Sequence, residues 1–316
     1  MRFAFLLLIA LSAGAWAQAY PSRPVRVIVP YPAGSTPDIV GRTLSDRLQK
    51  ALGQPFVVEN RTGAGGNIGT DAAAKSAPDG YTLLVAINGP VAVNKHLYKS
   101  LPYDPDKDLA PISLLASAPQ MLVVKPDLPA NFKSFLQHAR RNPGRLSYAS
   151  VGGGSASHLT MELLKSEAGI FIVHIPYRGF PPAVTDLLAG SIDTMFATVP
   201  AVLPQVKAGR LRALAVTARK RSDLAPEVPS VVELGLPQLE SLAWIGLLAP
   251  AGISSDILSR LSAETAGGMR AADVRELLGK QGFDVVASSP QEFQRWIRVE
   301  SDKWARVIRV SGATPD

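Results

Sequence analysis

The chain has 316 residues, 47% of them apolar and 19% charged, with a formal net charge of +7 and no cysteine. Without cysteine there are no disulfides, thiolate metal sites, cysteine-held iron–sulfur clusters or lipid on an N-terminal cysteine, so a large core must hold the fold, and the length suffices for two domains. The basic excess is spread out, densest at Arg140-Arg141 and Arg219-Lys220-Arg221 without interleaved aromatics, which argues against nucleic acid and suits an anionic small molecule.

The first segment reads as an export signal. Met1-Arg2 is positive, Phe3 to Leu11 is unbroken and apolar, and Ala15-Trp16-Ala17 satisfies the small-x-small cleavage rule. Cleavage is expected after Ala17, leaving Gln18 first, or after Ala19, which satisfies the same rule. The apolar run is too short to span a bilayer.

Beyond it, strand-like and helix-like patterns alternate, which predicts an α/β protein with mainly parallel sheets. Val25–Val29 is a strand. The next helix is expected to open with Thr36 as N-cap, Pro37 first and Asp38 in the first turn. Val40, Leu44, Leu48 and Leu52 give it a buried face, and Gly53 stops it. Phe56–Val58 is the next strand. A glycine-rich stretch at 63–69, a helix over 70–77, a turn at Pro78-Asp79-Gly80 and a strand at Tyr81–Ile87 follow. Ile112 to Val124 reads as two extended segments broken by Pro119. Helix and strand then alternate: 132–140, 146–150, 155–167, 171–175, 181–188, 192–197, 200–207 and 211–217. Leu242–Leu248 is extended. The tail is helical, with Ser289, Pro290 and Glu292 forming a capping box ahead of Phe293, Trp296 and Ile297. No repeat of fixed period and no low-complexity linker is present.

Ligands of parallel α/β sheets sit beyond the carboxyl ends of strands, where helix N-termini offer unpaired N–H groups and a positive dipole end. Four loops fit that position: Pro30–Pro37, Asn60–Gly69, Val151–Ser155 and Pro176–Pro181. All are Gly-rich or Pro-rich, and Ser35, Thr36, Ser155 and Ser157 add hydroxyls. They read equally as ordinary strand-to-helix turns. Neither "GAGGNIG" nor "GGGSAS" places its glycines as a dinucleotide fingerprint does, and no phosphate-loop lysine follows. Ser155 and His158, with Asp186 or Asp193, are the nearest approach to a catalytic triad, but there is no G-x-S-x-G elbow. His96, His138, His158 and His174 lack metal-ligand spacing. Arg178 is a cation in a candidate loop, with anion pairing and plain solvation both open to it.

Five stretches in order, "YPSRPVRVIVPYPAGSTPDIVGR", "VVENRTGAGGNIGTDAAAKSAPDGYTLL", "LPYDPDKDLAPISLLA", "HIPYRGFPPAVTDLLAGSIDTMF" and "SSPQEFQRWIRVESDKWARVI", resemble the extracytoplasmic solute receptors of the tripartite tricarboxylate transporter type, called Bug receptors in Bordetella-like bacteria. The resemblance covers the whole chain beyond the leader. It implies a type II periplasmic-binding-protein fold, two α/β lobes around a ligand cleft, with crossings near Gln120–Lys125 and Leu242–Ala249. Residues 18–120 with 245–316 form the first lobe and 121–244 the second. It further implies a periplasmic monomer that binds a small organic acid or amino acid through Ala33, Gly34, Ser35, Thr36 and Asp38 of the first loop, Ser150, Gly153, Gly154, Ser155 and His158 of the second, and Tyr177 and Gly179 of the third. Neither catalytic residue, metal nor cofactor is implied, and membrane permease subunits are the expected partners. Ser35 and Val151 depart from the family's usual small residues there, which leaves the ligand's identity open. A serine-dependent hydrolase on the same scaffold, or a partner of a membrane sensor, are the alternatives.

Overall fold

A computed structural model describes residues 20–315; the expected leader and its cleavage sites fall outside the described residues. The first sheet begins with β1 (Val25–Val29), β2 (Phe56–Asn60) and β3 (Thr82–Ile87). β1 lies between the other two and is parallel to both. α1 (Thr36–Leu52) follows β1 and buries Val40, Leu44 and Leu48, as their four-residue spacing requires; Gly53, left-handed at φ +74°, ends it. α2 (Asn67–Ala74) begins three residues before the expected start, because Gly66, at φ +94°, turns the chain into the helix there. After β3 the chain winds through a wide turn of helix at Gly89–Val93 into α3 (Asn94–Leu97). This segment gave no helical signal, since Gly89-Pro90 reads locally as a breaker.

β4 (Leu109–Val124) is one strand of 16 residues, not the two segments expected. Its first part pairs antiparallel with β9 (Leu242–Pro250), which in turn pairs antiparallel with β3. Its last residues pair with β7 (Thr194–Thr198) and β8 (Arg212–Val216) in a second sheet. The exchange falls at Pro119, the last residue paired with β9, and Gln120, the first paired with β7. Proline has no N–H for a ladder, so it is tolerated where a strand leaves one partner for another. Register slips between Pro111 and Ser113 and between Leu114 and Ala116 bend the strand on its way.

The second sheet is completed by β5 (Ser147–Ser150), parallel to β7 and to β6 (Val173–Pro176). α4 (Phe132–Arg141), α5 (Ala156–Ala168), α6 (Phe180–Leu188) and α7 (Val199–Lys207) surround it. Both sheets are therefore mixed: β1, β2 and β3 in the first and β5, β6 and β7 in the second are parallel as expected, whereas β4, which serves both sheets, and β9 are antiparallel to their neighbours, as is the edge strand β8. α8 (Ser255–Arg270), α9 (Ala272–Lys280), the short edge strand β10 (Asp284–Val285), antiparallel on β4, and α10 (Pro290–Ser311) return to the first lobe.

One apolar cluster fills the space between the first sheet, α1 and α8; another lies between the second sheet, α6 and α7. The third runs through both lobes, because α10 packs on β4 and on α5. There Trp244 and Trp304 are fully buried, and both indole N–H groups donate to Glu300 Oε2 at 3.0 Å, so neither ring is buried with an unmet donor. The expected Ser289–Glu292 capping box opens α10. Among the described residues no helix is long and apolar enough to cross a membrane.

Candidate functional site

A cleft of about 420 Å³ opens between the lobes. The N-termini of α1 and of α5, α6 and α7 reach it from the first and second lobe respectively, through Ser35, Ser155, Gly179 and Thr198. Its floor is where the chain crosses, at Gln120 and at Ala243, Trp244 and Ile245. The crossings are stitched together by Thr217. Gln120 N–H donates to Thr217 Oγ1 at 2.9 Å, and that hydroxyl donates to Ser241 O at 2.6 Å. Gln120 Nε2 donates to Thr160 Oγ1 at 3.0 Å. Its Oε1, although buried, has no partner.

The first loop is held from behind by a carboxylate. Asp38, 2% exposed, accepts from the Gly34 N–H at 2.8 Å, Arg42 Nε at 3.0 Å and Asn60 Nδ2 at 2.9 Å. Asn60 also donates to Tyr31 O at 2.9 Å. Burial works to raise the Asp38 pKa, but the hydrogen bonds from Arg42, Asn60 and Gly34 outweigh it and hold the carboxyl below its ordinary value. Gly34 has φ +77°, a conformation that L side chains rarely adopt. The N-cap is Ser35, one residue before the expected Thr36, and its side chain makes no cap hydrogen bond. Ser35 is among the residues lining the cleft, and its Oγ is buried with no intramolecular partner.

The second loop is held by aromatic rings. Tyr148, His174 and His158 stack face to face, at 4.8 Å and 4.3 Å between centroids. His158 Nδ1 accepts from the Gly154 N–H at 3.2 Å, which puts the ring proton on Nε2. Burial, then His174 and Lys165, push the His158 pKa down to about 3, so the ring is neutral and fit to accept. Ser150 Oγ pairs with His174 Nε2 at 2.6 Å and accepts from the Gly152 N–H. Ser155 caps α5 by accepting from the His158 N–H at 3.3 Å, and it shares a hydrogen bond with Ser157 Oγ at 3.0 Å. Gly154 lies against the other lobe: a Cβ there would come within 2.2 Å of Asn94 Oδ1. In the third loop, Tyr177 Oη donates to Asp186 at 2.7 Å, and burial with this carboxylate raises the phenol to about 12.

The twelve residues expected at the site therefore divide. Gly34, Ser35, Thr36, Ser155 and Gly179 line the cleft. Asp38, Ser150, His158 and Tyr177 do not line it; they brace its loops through the hydrogen bonds above. Ala33, Gly153 and Gly154 are in the loops but not on the lining. Lining residues outside the expected site include Asn88, Gln120, Phe180, Trp244, Gln281 and Phe283. Asn88 sits just beyond the carboxyl end of β3, and Gln120 and Trp244 fall within or beside the expected crossings; those signals pointed at them. Arg178 is exposed and off the lining, and among the described residues it pairs with no carboxylate.

The chemistry of this arrangement is capture. Among the described residues no Asp, Glu, Lys or Arg lines the cleft. The His158 ring accepts from Gly154 rather than from Ser155, Asp186 is bonded to Tyr177, and Asp193 is bonded to Ser147 and Lys125. Ser155 thus has no relay behind it. What lines the cleft is helix starts, hydroxyls, the neutral amides of Asn88, Gln120 and Gln281, and an apolar wall. Among the described residues no group of three or more acidic, His or Cys side chains could hold a metal ion.

The sequence profile described as the tripartite tricarboxylate transporter family receptor (TctC) matches residues 40–313. Protein BugT of Bordetella pertussis is 39% identical over 98% of this chain and 95% of its own. Rpa4515 of R. palustris, solved with adipate, superposes with a TM-score of 0.88 at 33% identity, covering 94% of this chain and 100% of that one. MatC (Rpa3494) of Rhodopseudomonas palustris, solved with bound malate, gives 0.85 at 31% identity, covering 92% and 100%. The chain belongs to the TctC family of periplasmic solute receptors of the tripartite tricarboxylate transporter type.

Proposed function

We propose that this chain is a periplasmic receptor that captures a small organic acid between its lobes by closure, without chemistry, and presents it to permease subunits of the tripartite tricarboxylate type. The observation that carries this is the convergence of α1 from one lobe and α5 from the other on one uncharged cleft. Each helix start offers N–H groups without an intrahelical acceptor, so a carboxylate between them is bound by both lobes at once. A ligand touching both lobes favours the closed state, whereas one touching a single lobe gives no such bias. The lobes in this reading are 18–120 with 245–316, and 121–244, joined at the strand exchange beside Pro119 and at the start of β9. The leader is removed after Ala17 or Ala19, and the receptor works as a monomer. Gly34, Ser35, Thr36, Ser155 and Gly179 contact the ligand; Asp38, Ser150, His158 and Tyr177 hold their loops.

A thermal-shift screen of the exported protein against small acids tests this. An acid present at a hundred times its dissociation constant stabilises by about 2.7 kcal/mol. A bound acid should also reduce the radius of gyration in small-angle scattering. An acid that is confirmed to bind and is turned over would move the protein to the enzymes.

A further inference from the structure

Two of the helix starts at the cleft differ in what they can donate. The first turn of α5 is Ala156-Ser157-His158, with no proline; the His158 N–H is spent on Ser155 Oγ, which leaves the N–H groups of Ala156 and Ser157 with the Ser155 and Ser157 hydroxyls beside them. The first turn of α6 is Phe180-Pro181-Pro182 behind Gly179. Two of its three residues have no N–H, and none has a hydroxyl. Phe180, Pro181 and Val184 instead present carbon to the cleft, as Ile39, Ile87 and Phe283 do from the first lobe. The other polar side chains there include the neutral amides of Asn88, Gln120 and Gln281. Gln120, on the lining, holds a buried and unpartnered acceptor, Oε1, which suits a hydroxyl or N–H on a ligand and repels a carboxylate oxygen. Asn88 has an unpartnered Nδ2, a neutral donor.

We propose that this cleft selects a monocarboxylate with an apolar, aromatic-sized body and disfavours a second carboxylate. The proposal rests on the receptor reading above and names its substrate class. The single charge sits at α5 and α1, where the donors are. The body lies against the α6 face and Phe283. A second carboxylate reaching that face would be taken out of water against carbon, without a cation or a full helix start to receive it, and burying such a charge unpaired is strongly unfavourable. The relatives solved with adipate and malate hold acids with two carboxylates, so selectivity here would separate this chain from them.

The test is calorimetry of the full exported chain with phenylacetate, 3-phenylpropionate, malate and adipate. The expected result is that a phenyl acid binds at least about tenfold more tightly than either diacid. Malate or adipate binding as tightly as the phenyl acids, or more so, overturns the selectivity while leaving the receptor reading intact. No binding by any of the four overturns the selectivity, and the receptor reading falls with it only if the wider screen of small acids is also blank. Val184→Lys, at a half-buried helix position, sharpens the result, with its melting temperature measured alongside. It should raise the ratio of adipate to 3-phenylpropionate affinity roughly tenfold, whereas Val184→Ala should not. An unchanged ratio in a folded Val184→Lys protein would show that α6 does not face the ligand body, and would overturn the proposal.

Discussion

The starts of α1 and α5 face the same cleft from opposite lobes, and each has a serine at its N-cap, yet the two serines are used differently. Ser155 is spent inside its own helix, accepting from the His158 N–H and bonding Ser157. Ser35 makes no cap bond; at its helix start a carboxylate from the first turn, Asp38, reaches back to the Gly34 N–H instead. Both loops thereby hold their shape before any ligand arrives. One does so with a buried charge and leaves its hydroxyl unspent, the other with a neutral hydroxyl and a ring stack. Stability and binding should therefore separate in the first loop and be fused in the second.

The largest effect is expected from the clamp. Asp38→Ala removes the acceptor of three hydrogen bonds, from Gly34, Arg42 and Asn60. The predicted loss is about 3 kcal/mol of stability, since hydrogen bonds to a buried charge contribute about 1.5–3 kcal/mol each and Arg42 is half in solvent. Urea denaturation measures it. The same clamp has a pH signature. Because the Asp38 pKa is lowered by folding, its contribution is present above the ordinary Asp value, near 3.9. It is lost as pH falls through the lower, folded value. Wild type and Asp38→Ala should therefore converge in stability in acid; a constant gap would remove Asp38 from the clamp.

The ring stack in the other lobe is next. His158→Phe keeps an aromatic ring but leaves the Gly154 N–H without its acceptor, at a predicted cost of about 2 kcal/mol at neutral pH. Its pH dependence follows from the His158 pKa of about 3. The unfolded imidazole binds a proton below about 6.5 and the folded one does not. The wild type should therefore lose stability as pH falls from about 6.5 towards 3, and the variant should lack that component of the slope. Parallel slopes in thermal melts would contradict the buried neutral ring.

How far these sites can be read from sequence depends on how local their determinants are. β1, α1 and the capping box of α10 follow from short-range periodicity, Gly53 and the Ser289–Glu292 pair, and their expected and observed positions agree closely. β4 was misread because Pro119 breaks a local pattern, whereas in the fold it marks the place where one strand serves two sheets. The segment 89–97 was missed for the same reason at Gly89-Pro90. The loops at the cleft were visible as Gly, Pro and Ser clusters. Their division into lining and bracing residues was not, because it depends on which partner each side chain finds. Asp38 meets Asn60 across the strand β2, and His158 meets His174 across β6. Phe283 reaches the cleft by tertiary packing, for which an apolar residue in a sequence gives no sign.

Smaller in stability, but tied to the ligand, is Ser155→Ala. Loss of an N-cap hydroxyl costs about 1 kcal/mol. If the same hydroxyl meets the carboxylate, the variant also loses a hydrogen bond to a charge, which weakens binding roughly tenfold to a hundredfold. Both changes are expected together, with no hydrolysis of activated esters in either form. Calorimetry with the best acid of the screen, run beside thermal melts, checks this. An intact dissociation constant would leave Ser155 a cap alone, and Ser155-dependent ester cleavage would reverse the functional reading.

The smallest effect on stability, and the sharpest test of the comparison, is Ser35→Ala. Ser35 Oγ is buried from solvent and has no partner in the free protein, so its removal sacrifices no hydrogen bond. Alanine is compatible with the extended conformation at this position, φ −71° and ψ 160°. An unpaired buried hydroxyl is itself unfavourable, so stability should stay within about 0.5 kcal/mol of wild type and lean upward. Affinity should nevertheless fall roughly tenfold, because in this reading the ligand is the partner the hydroxyl lacks. Ser155→Ala lowers both quantities; Ser35→Ala lowers one. The contrast would collapse if Ser35→Ala cost as much stability as Ser155→Ala, which would mean that Ser35 caps α1 in solution. It would also collapse if Ser35→Ala left affinity untouched, which would place the carboxylate wholly on the α5 side.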